Sequence, residues 1–500
     1  MHERSPYAKS PPDFAQLAKD YPALAKHVIP NSSRSSTIDF QDADAVRTLA
    51  EALLWTDFKI AASFADDRLC PTIPNRLNYV LWLQDVLSET RRILAQVKPL
   101  GPADPPGSVG EDERPRKKAR LGPIQKAKLR GLDIGTGASA IYPLLFCATD
   151  SDVEMIGTDI DPKSLEHAQS IIDDPRNERH RLSSRIKTML KRLSDPFFRN
   201  LPSSDTNQGT GRLAFDFTMC NPPFYSSKQD MLDSAKGKAK GASAVCTGTD
   251  GEMVFKVENS QGAGGEVGFV KRMMDESFGL EHRSQVLWFT SMLGRLSSVD
   301  TLLDHLQQKD RENGKGDRLV SWVVHELIQG TTKRWVLGWS FAGVHLVDEP
   351  LAVPRHRRPW TTKRNWLSGA EDIDATLQNV EVVLRSIGDL SYELRQDEIT
   401  PATVTVQVAV MSVSWTRAAR RAKMLPEGRG SPRPTTGAAV LCVDILIDGG
   451  SRPTLSGANA SKDGKQVPQI DFCWTFGRSQ ATFDSFCLHV KSKWGARRIQ

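Results

Sequence analysis

Apolar runs and helix-spaced stripes alternate along the first two thirds of this chain. Arg130–Ile134 and Val153–Asp159 read as short buried strands, and Ala140–Cys147, just after a glycine-rich turn, reads as a helix. Phe215–Cys220 is a further apolar run, cut off by a polar-proline turn. Gln285–Met292 is another, followed by helical spacing over Val299–Leu306, and Arg334–Phe341 alternates as a strand does. Strands alternating with helices predict an α/β fold, with one doubly wound sheet over residues 40–345.

A second pattern begins near residue 371. Ile373, Leu377, Val380, Leu384 and Ile387 form a helical stripe, Thr403–Trp415 and Ala438–Asp448 read as long alternating strands, and Phe483, Phe486, Cys487, Val490 and Trp494 form another stripe. This predicts a smaller α+β domain over 371–500. Between the two patterns, Pro350, Pro354 and Pro359 accompany Arg355-His356-Arg357-Arg358, which places a basic linker at 346–370. Within the first domain, 98–128 and 226–265 read as disordered insertions, the former carrying Arg114-Pro115-Arg116-Lys117-Lys118-Ala119-Arg120.

Composition narrows the class only a little. At 500 residues, 39% hydrophobic and 25% charged, the chain can bury more than one core. It has no apolar run near the roughly 20 residues of a membrane-spanning helix, and its first twelve residues are too polar for a signal peptide, so a soluble intracellular protein is expected. Seven cysteines without a CxxC pair indicate neither a disulfide framework nor zinc. A net charge of +6 permits a polyanionic partner without requiring one. The two basic runs in the insertion and the linker point toward the nucleus, although solvated surface explains such runs equally well.

Chemistry first shows at Leu132-Asp133-Ile134-Gly135-Thr136-Gly137. A strand ending in an acid and a glycine turn lets backbone approach a ligand closely, and Asp159 at the end of the next strand offers two oxygens to a pair of ribose hydroxyls. A tight turn with a helix-capping acid is the plain alternative. The third glycine of a dinucleotide-binding turn is missing, because Ala140 reaches that place only in a shifted register. A ligand with ribose but no phosphate therefore fits, and S-adenosyl-L-methionine is one.

Asn221-Pro222-Pro223-Phe224, directly after the strand Phe215–Cys220, is the discriminating motif. An exocyclic amine is a poor nucleophile because its lone pair is delocalised into the ring. Two acceptors, the Asn221 side-chain oxygen and the Pro222 carbonyl, can each take one N–H and turn the nitrogen toward a methyl donor, with the prolines keeping the turn rigid. Phe224 can stack on a base drawn out of its helix. Here the plain alternative is a proline turn with Phe224 in the core.

These motifs, in order, are similar to those of the methyltransferase-like protein 16 family, the U6 small nuclear RNA adenine N6-methyltransferases, related to a bacterial large-subunit ribosomal RNA adenine methyltransferase. The resemblance is carried by Pro11–Phe14, Arg68–Tyr79, Leu132–Ser139, Met219–Phe224, 264–272, Ser291–Gly294 and Gln329–Trp335, spread over residues 1–345. It implies a class I (Rossmann-like) S-adenosylmethionine-dependent methyltransferase acting on structured RNA, U6 small nuclear RNA first. The same turn could serve a ribosomal RNA, DNA or protein glutamine methyltransferase, and a non-catalytic RNA-binding protein is the alternative from another class.

By the same resemblance Arg76 contacts the methionine carboxylate of the cofactor, Gly135 and Ser139 line the turn, Asn221 borders the cofactor as well as the target amine, and Asp159 stands where the family more often has Glu. Ser194-Asp195 match the family's cofactor-side loop poorly. Arg4, Lys9, Lys271, Arg272 and Arg334 are the RNA-binding candidates by position, each equally well explained as solvated surface. The carboxy-terminal domain is similar in layout to a kinase-associated-1-like RNA-binding module, with Arg417, Arg420, Arg421, Lys423, Lys491, Lys493, Arg497 and Arg498 as its basic surface. A purely structural or protein-binding domain fits that layout as well.

Overall fold

The protein is seen in a computed structural model. It describes residues 1–30, 36–97, 128–199, 214–223, 265–279, 283, 285–314, 320–330, 332–346, 363–368, 372–396, 403–416, 438–448 and 468–496. Phe224, both insertions apart from their end residues Lys128 and Gly265, and the clusters at 114–120, 355–358, 417–423 and 497–498 lie outside the described residues. The chain divides into two compact units. The first draws on Met1–Leu87, Lys126–Lys315 and Trp322–Ala342, the second on Ser88–Gln125, Gly316–Ser321 and Gly343–Gln500.

The first unit opens with α1 (Phe14–Asp20), a small hairpin of β1 (Val28–Pro30) and β2 (Ser36–Ile38), and two long helices, α2 (Ala43–Phe58) and α3 (Ile73–Val97), the last of which passes into the second unit after Leu87. Then come β3 (Leu129–Ile134), α4 (Ile141–Thr149), β4 (Val153–Asp159), α5 (Pro162–Ile172), α6 (Leu182–Arg185), β5 (Ile186–Leu190) and β6 (Phe215–Cys220). After the undescribed stretch follow α7 (Gly265–Ser277), β7 (Val286–Leu293), α8 (Leu296–Asn313), β8 (Ser321–Gln329) and β9 (Thr332–Ser340). The sheet runs β5-β4-β3-β6-β7-β9-β8, parallel from β5 to β7 and antiparallel between β7 and β9.

That order dictates where a ligand goes. Successive crossovers step outward from β3 to β4 to β5, then restart on the other side with β6, so right-handed connections put helices on opposite faces and leave a crevice beyond the carboxyl ends of β3, β4 and β6. β3 is central because its side chains find apolar partners on both flanks. Even a Cβ on Gly131 would overlap Met155 Sδ and Phe217 Cζ, so only glycine closes that layer. β7 is buried along all of Val286–Leu293, as expected of a strand covered on both faces. The predicted helix after the turn begins at Ile141 rather than Ala140, because Ala140 takes φ 45°.

The second unit holds a five-stranded antiparallel sheet. Its order is β10 (Lys363–Leu367), β14 (Gln469–Phe476), β13 (Leu441–Asp448), β12 (Thr403–Val410) and β11 (Leu390–Gln396). With α9 (Ile373–Arg385) and α10 (Gln480–Ala496), which pack on each other and on β13, it gives an α+β fold. Residues 363–367, read from sequence as linker, instead form β10 and pair with β14; Lys363-Arg364-Asn365 is too polar for the pattern to betray a strand. β12 ends at Val410 rather than Trp415: Met411 N still donates to Asp389 O at 2.8 Å, one step beyond the Leu390–Val410 pair, but Asp389 takes φ 61° and leaves the extended conformation there. No helix among the described residues is long and apolar enough to cross a membrane.

Candidate active site

Parallel register builds the site. Thr158, Ile134 and Cys220 are aligned across β4, β3 and β6, so the next residues of each strand, Asp159, Gly135 and Asn221, emerge side by side at the carboxyl end, about 4.8 Å from strand to strand. Leu190 of β5 is aligned with Asp159 on one side. Beyond Asn221, Met292 of β7 follows two residues after Thr290, whose hydroxyl donates to Thr218 O at 2.6 Å.

The glycine turn is shaped by backbone conformation. Gly135 and Gly137 sit at φ +75° and +65°, and a Cβ at either would meet nothing within 4 Å, so the turn requires glycine for its dihedral angles and borders open space. Gly135 N and Thr136 N both donate to Thr158 O at 2.9 Å. Asp159 ties the turn down: its carboxylate accepts from Gly137 N at 2.8 Å, Ile160 N at 2.7 Å and Asp161 N at 3.0 Å. Burial pushes this carboxyl above its ordinary pKa against those three donors. A carboxylate has about four acceptor positions, so roughly one remains for a ligand hydroxyl rather than the pair expected from sequence.

Three groups stand buried with unmet polar demands. Asn221 Oδ1 has no hydrogen-bond partner among the described residues. Asp133, 0% exposed, accepts from Thr136 Oγ1 at 2.7 Å through Oδ2 and has nothing on Oδ1. Desolvation pushes its carboxyl up to about 7, the Thr136 bond pulling the other way. Arg76, 9% exposed in the first turn of α3, lies 5.8 Å from the Tyr142 ring and 3.5 Å from Met292 Sδ, and no carboxylate among the described residues pairs with it. A buried cation with no carboxylate in ion-pair contact, though close enough to Asp133 to pull its carboxyl down, and buried acceptors without donors are costly alone and are relieved by a zwitterion that carries both charges. The amino-acid end of S-adenosylmethionine fits that donor set.

Tyr79 and Tyr142, rings 5.4 Å apart edge to face, pack α3 onto α4, and Tyr79 Oη lies 2.6 Å from Thr290 Oγ1. Cys220 is no nucleophile here, since burial drives its thiol well above the ordinary range. Among the described residues no cluster could hold a metal ion.

Arg76, Gly135, Asp159 and Asn221 thus converge, Pro222 and Pro223 follow Asn221, and Ser139 is buried at the entry to α4. The five basic candidates are dispersed. Arg4 is ion-paired with Asp85 and donates to Leu81 O at 3.0 Å, Lys9 is exposed, and Lys271 is half-buried on α7. Arg272 donates to Leu193 O and Asp195 O, and Arg334 donates to Lys333 O at 2.9 Å. Asp133 and Met292 fell inside quoted motifs without being singled out; what marks them, burial with an unmet acceptor and a sulfur under Arg76, is spatial.

A glycine turn and an acid on the adjoining strand, at the switch point of a doubly wound sheet, are the arrangement of a class I methyltransferase, and this chain adds an orphan amide oxygen on the strand opposite. Residues 1–100 and 119–343 match the RNA methyltransferase family. The U6 small nuclear RNA (adenine-(43)-N(6))-methyltransferase of Schizosaccharomyces pombe is 31% identical over 401 residues, 79% of this chain and 84% of that protein. The RNA N(6)-adenosine-methyltransferase METTL16 of Mus musculus is 31% identical over 399 residues, 79% of this chain but 60% of that longer protein. A solved structure, the hMettl16 catalytic domain in complex with MAT2A 3'UTR hairpin 1, is similar with a TM-score of 0.49 and 30% identity, over 68% of this chain and 95% of that one. The chain belongs to the methyltransferase-like protein 16 family of RNA methyltransferases.

Proposed function

We propose that this protein transfers a methyl group from S-adenosyl-L-methionine to the N6 nitrogen of an adenine in structured RNA, with U6 small nuclear RNA as its substrate. The observation that carries the reading is the orphan Asn221 Oδ1, a buried acceptor that no donor among the described residues satisfies and that an incoming N–H would. When bound, the cofactor supplies an electrophilic methyl group on a sulfonium. Asn221 Oδ1 and the Pro222 carbonyl take the two N–H groups of the target amine, which holds its lone pair out of the ring plane and aimed along the strand-end row. Pro222 and Pro223 keep those acceptors from relaxing, so little reorganisation remains for the reaction itself. Phe224 stacks on the extruded adenine.

Arg76 binds the cofactor carboxylate and Asp133 Oδ1 its ammonium, while Gly135 and Ser139 border it and the remaining acceptor position of Asp159 takes one ribose hydroxyl. Lys9, Lys271 and Arg334 remain the proposed RNA contacts. A U6 substrate implies a nuclear protein. The test is mass-spectrometric counting of N6-methyladenosine in nucleosides digested from a U6 hairpin after incubation with chain and cofactor. Methylation of the hairpin is expected. Hairpin binding without methylation would favour the non-catalytic reading, and methylation confined to ribosomal RNA would move the substrate.

A further inference from the structure

Arg272 was a candidate RNA contact by position, but its guanidinium is already engaged elsewhere. It donates to Leu193 O at 3.1 Å and Asp195 O at 2.7 Å and lies 4.6 Å from the Phe197 ring centroid. Glu276, one turn along α7 on the same face, accepts from Phe197 N at 2.9 Å and Phe198 N at 2.7 Å. Phe269, on that face too, places its ring 5.0 Å from Phe197. One helix face therefore holds residues 193–198, within the described stretch that follows β5.

That segment begins as a tight turn. Arg192 N donates to Asp195 Oδ2 at 2.8 Å and Asp195 N returns to Arg192 O at 3.0 Å, so Arg272 grips carbonyls at the middle and the far end of one turn. The turn hangs directly on the site, because Lys191 N donates to Asp159 O at 2.8 Å. On the proposed reading of the site, the reacting amine lies at Asn221 and the ribose at Asp159. A nucleoside laid along the row then carries its base onward toward the end of β5, about 14 Å and three strand spacings from Asn221.

The far end of α7 is fixed as well. Glu266, 4% exposed, accepts from Gly294 N at 2.6 Å and Arg295 N at 3.2 Å, bolting the first turn of α7 to the exit of β7. The α8 helix has no side-chain cap of its own at Arg295, so Glu266 supplies its N-terminal anion. A helix held at Glu266 makes a rigid base from which Arg272 and Glu276 can hold the turn.

We propose that Arg272 is a positioning residue for the cofactor and not an RNA contact: with Glu276 it fixes the turn 192–195 that flanks the cofactor's base. This rests on the reading of the site as a cofactor site. Two of the five guanidinium N–H groups are committed to the two carbonyls and its face to Phe197, so swinging the side chain away to a distant phosphate would cost the turn its brace.

The experiment compares full-length wild type, Arg272→Ala, Arg272→Lys and Glu276→Gln by calorimetric titration with S-adenosylhomocysteine and by fluorescence anisotropy with a labelled U6 hairpin. Arg272→Ala is expected to weaken S-adenosylhomocysteine roughly tenfold and the hairpin less than twofold, a fraction of what two hydrogen bonds from a charged donor are worth, because the variant loosens the turn without removing a direct contact to the ligand. Arg272→Lys should recover part of the loss, and Glu276→Gln, which keeps one acceptor, should fall between. In steady state the Michaelis constant for S-adenosylmethionine should rise while that for RNA stays put. Unchanged S-adenosylhomocysteine affinity in Arg272→Ala, with or without a weaker hairpin, overturns the proposal. Retained hairpin binding shows that the variant is folded. If wild type itself fails to bind S-adenosylhomocysteine, the cofactor reading has failed rather than the role of Arg272.

Discussion

Replacing Asn221 by alanine should separate catalysis from stability more cleanly than any other change in the site. Asn221 Oδ1 is buried and has no partner among the described residues, a condition that costs about 1–3 kcal/mol for an amide oxygen. Asn221→Ala removes that cost along with a little packing, so the melting temperature should stay level or rise, by at most a few degrees for a domain of this size. The reaction loses one of two aimed acceptors, and removing one such preorganised group typically slows turnover by about 10²–10³. The assay is single-turnover methylation of a U6 hairpin at saturating enzyme and cofactor, beside thermal unfolding and S-adenosylhomocysteine titration of the same preparation. Cofactor and hairpin affinities should remain within a few-fold. Turnover within tenfold of wild type would refute the acceptor role. A fall of several degrees in melting temperature would show instead that Oδ1 is satisfied within the fold and that its availability was misjudged.

Arg76→Lys keeps the charge and loses the fork, so S-adenosylhomocysteine should bind roughly tenfold or more weakly by calorimetry; unchanged binding would mean that Arg76 serves only to pack on Tyr142. Asp133 is raised by burial from its usual 3.8 to about 7, so the folded, ligand-free chain carries a penalty that grows as pH rises through that window, up to about 4 kcal/mol above it. Asp133→Asn should therefore unfold at a higher temperature than wild type at pH 8 and lose the advantage near pH 4, and an advantage that did not change with pH would show that Asp133 is not the titrating group. Gly131→Ala forces a methyl into Met155 and Phe217 and should destabilise by about 1–3 kcal/mol, visible as a lower melting temperature even with cofactor present; a wild-type melt would place β3 in the wrong layer.

What could be read from residue order, and what could not, divides by the range of the interaction. β3, β4, β6 and β7 were legible because each is a compact apolar run ended by glycine, proline or an acid, and the row Asp159, Gly135, Asn221 follows once three such runs are laid parallel. The 25-residue α3 was not, although its first turns carry Arg76 and Tyr79, because its buried side chains surround that part of the helix and leave no clear stripe. β5 hid for the opposite reason: as an edge strand ending in exposed Leu190 it has too short an apolar face.

The cations show the limit most sharply. A basic residue near a basic groove has two readings in sequence, a polyanion contact or solvated surface, and a brace within the fold is neither, because the partners it would hold are distant along the chain. Leu193 O and Asp195 O lie 79 and 77 residues from Arg272, and Asp85 lies 81 from Arg4. Asp159 is the same case with the sign reversed. An acid at the end of a strand could be assigned to a ribose from sequence, but the three backbone N–H groups already on it decide how many hydroxyls it can still accept. Roles that depend on an unmet demand, as those of Asn221, Asp133 and Arg76 do, can be proposed from residue type, yet only packing reveals whether the demand is still open.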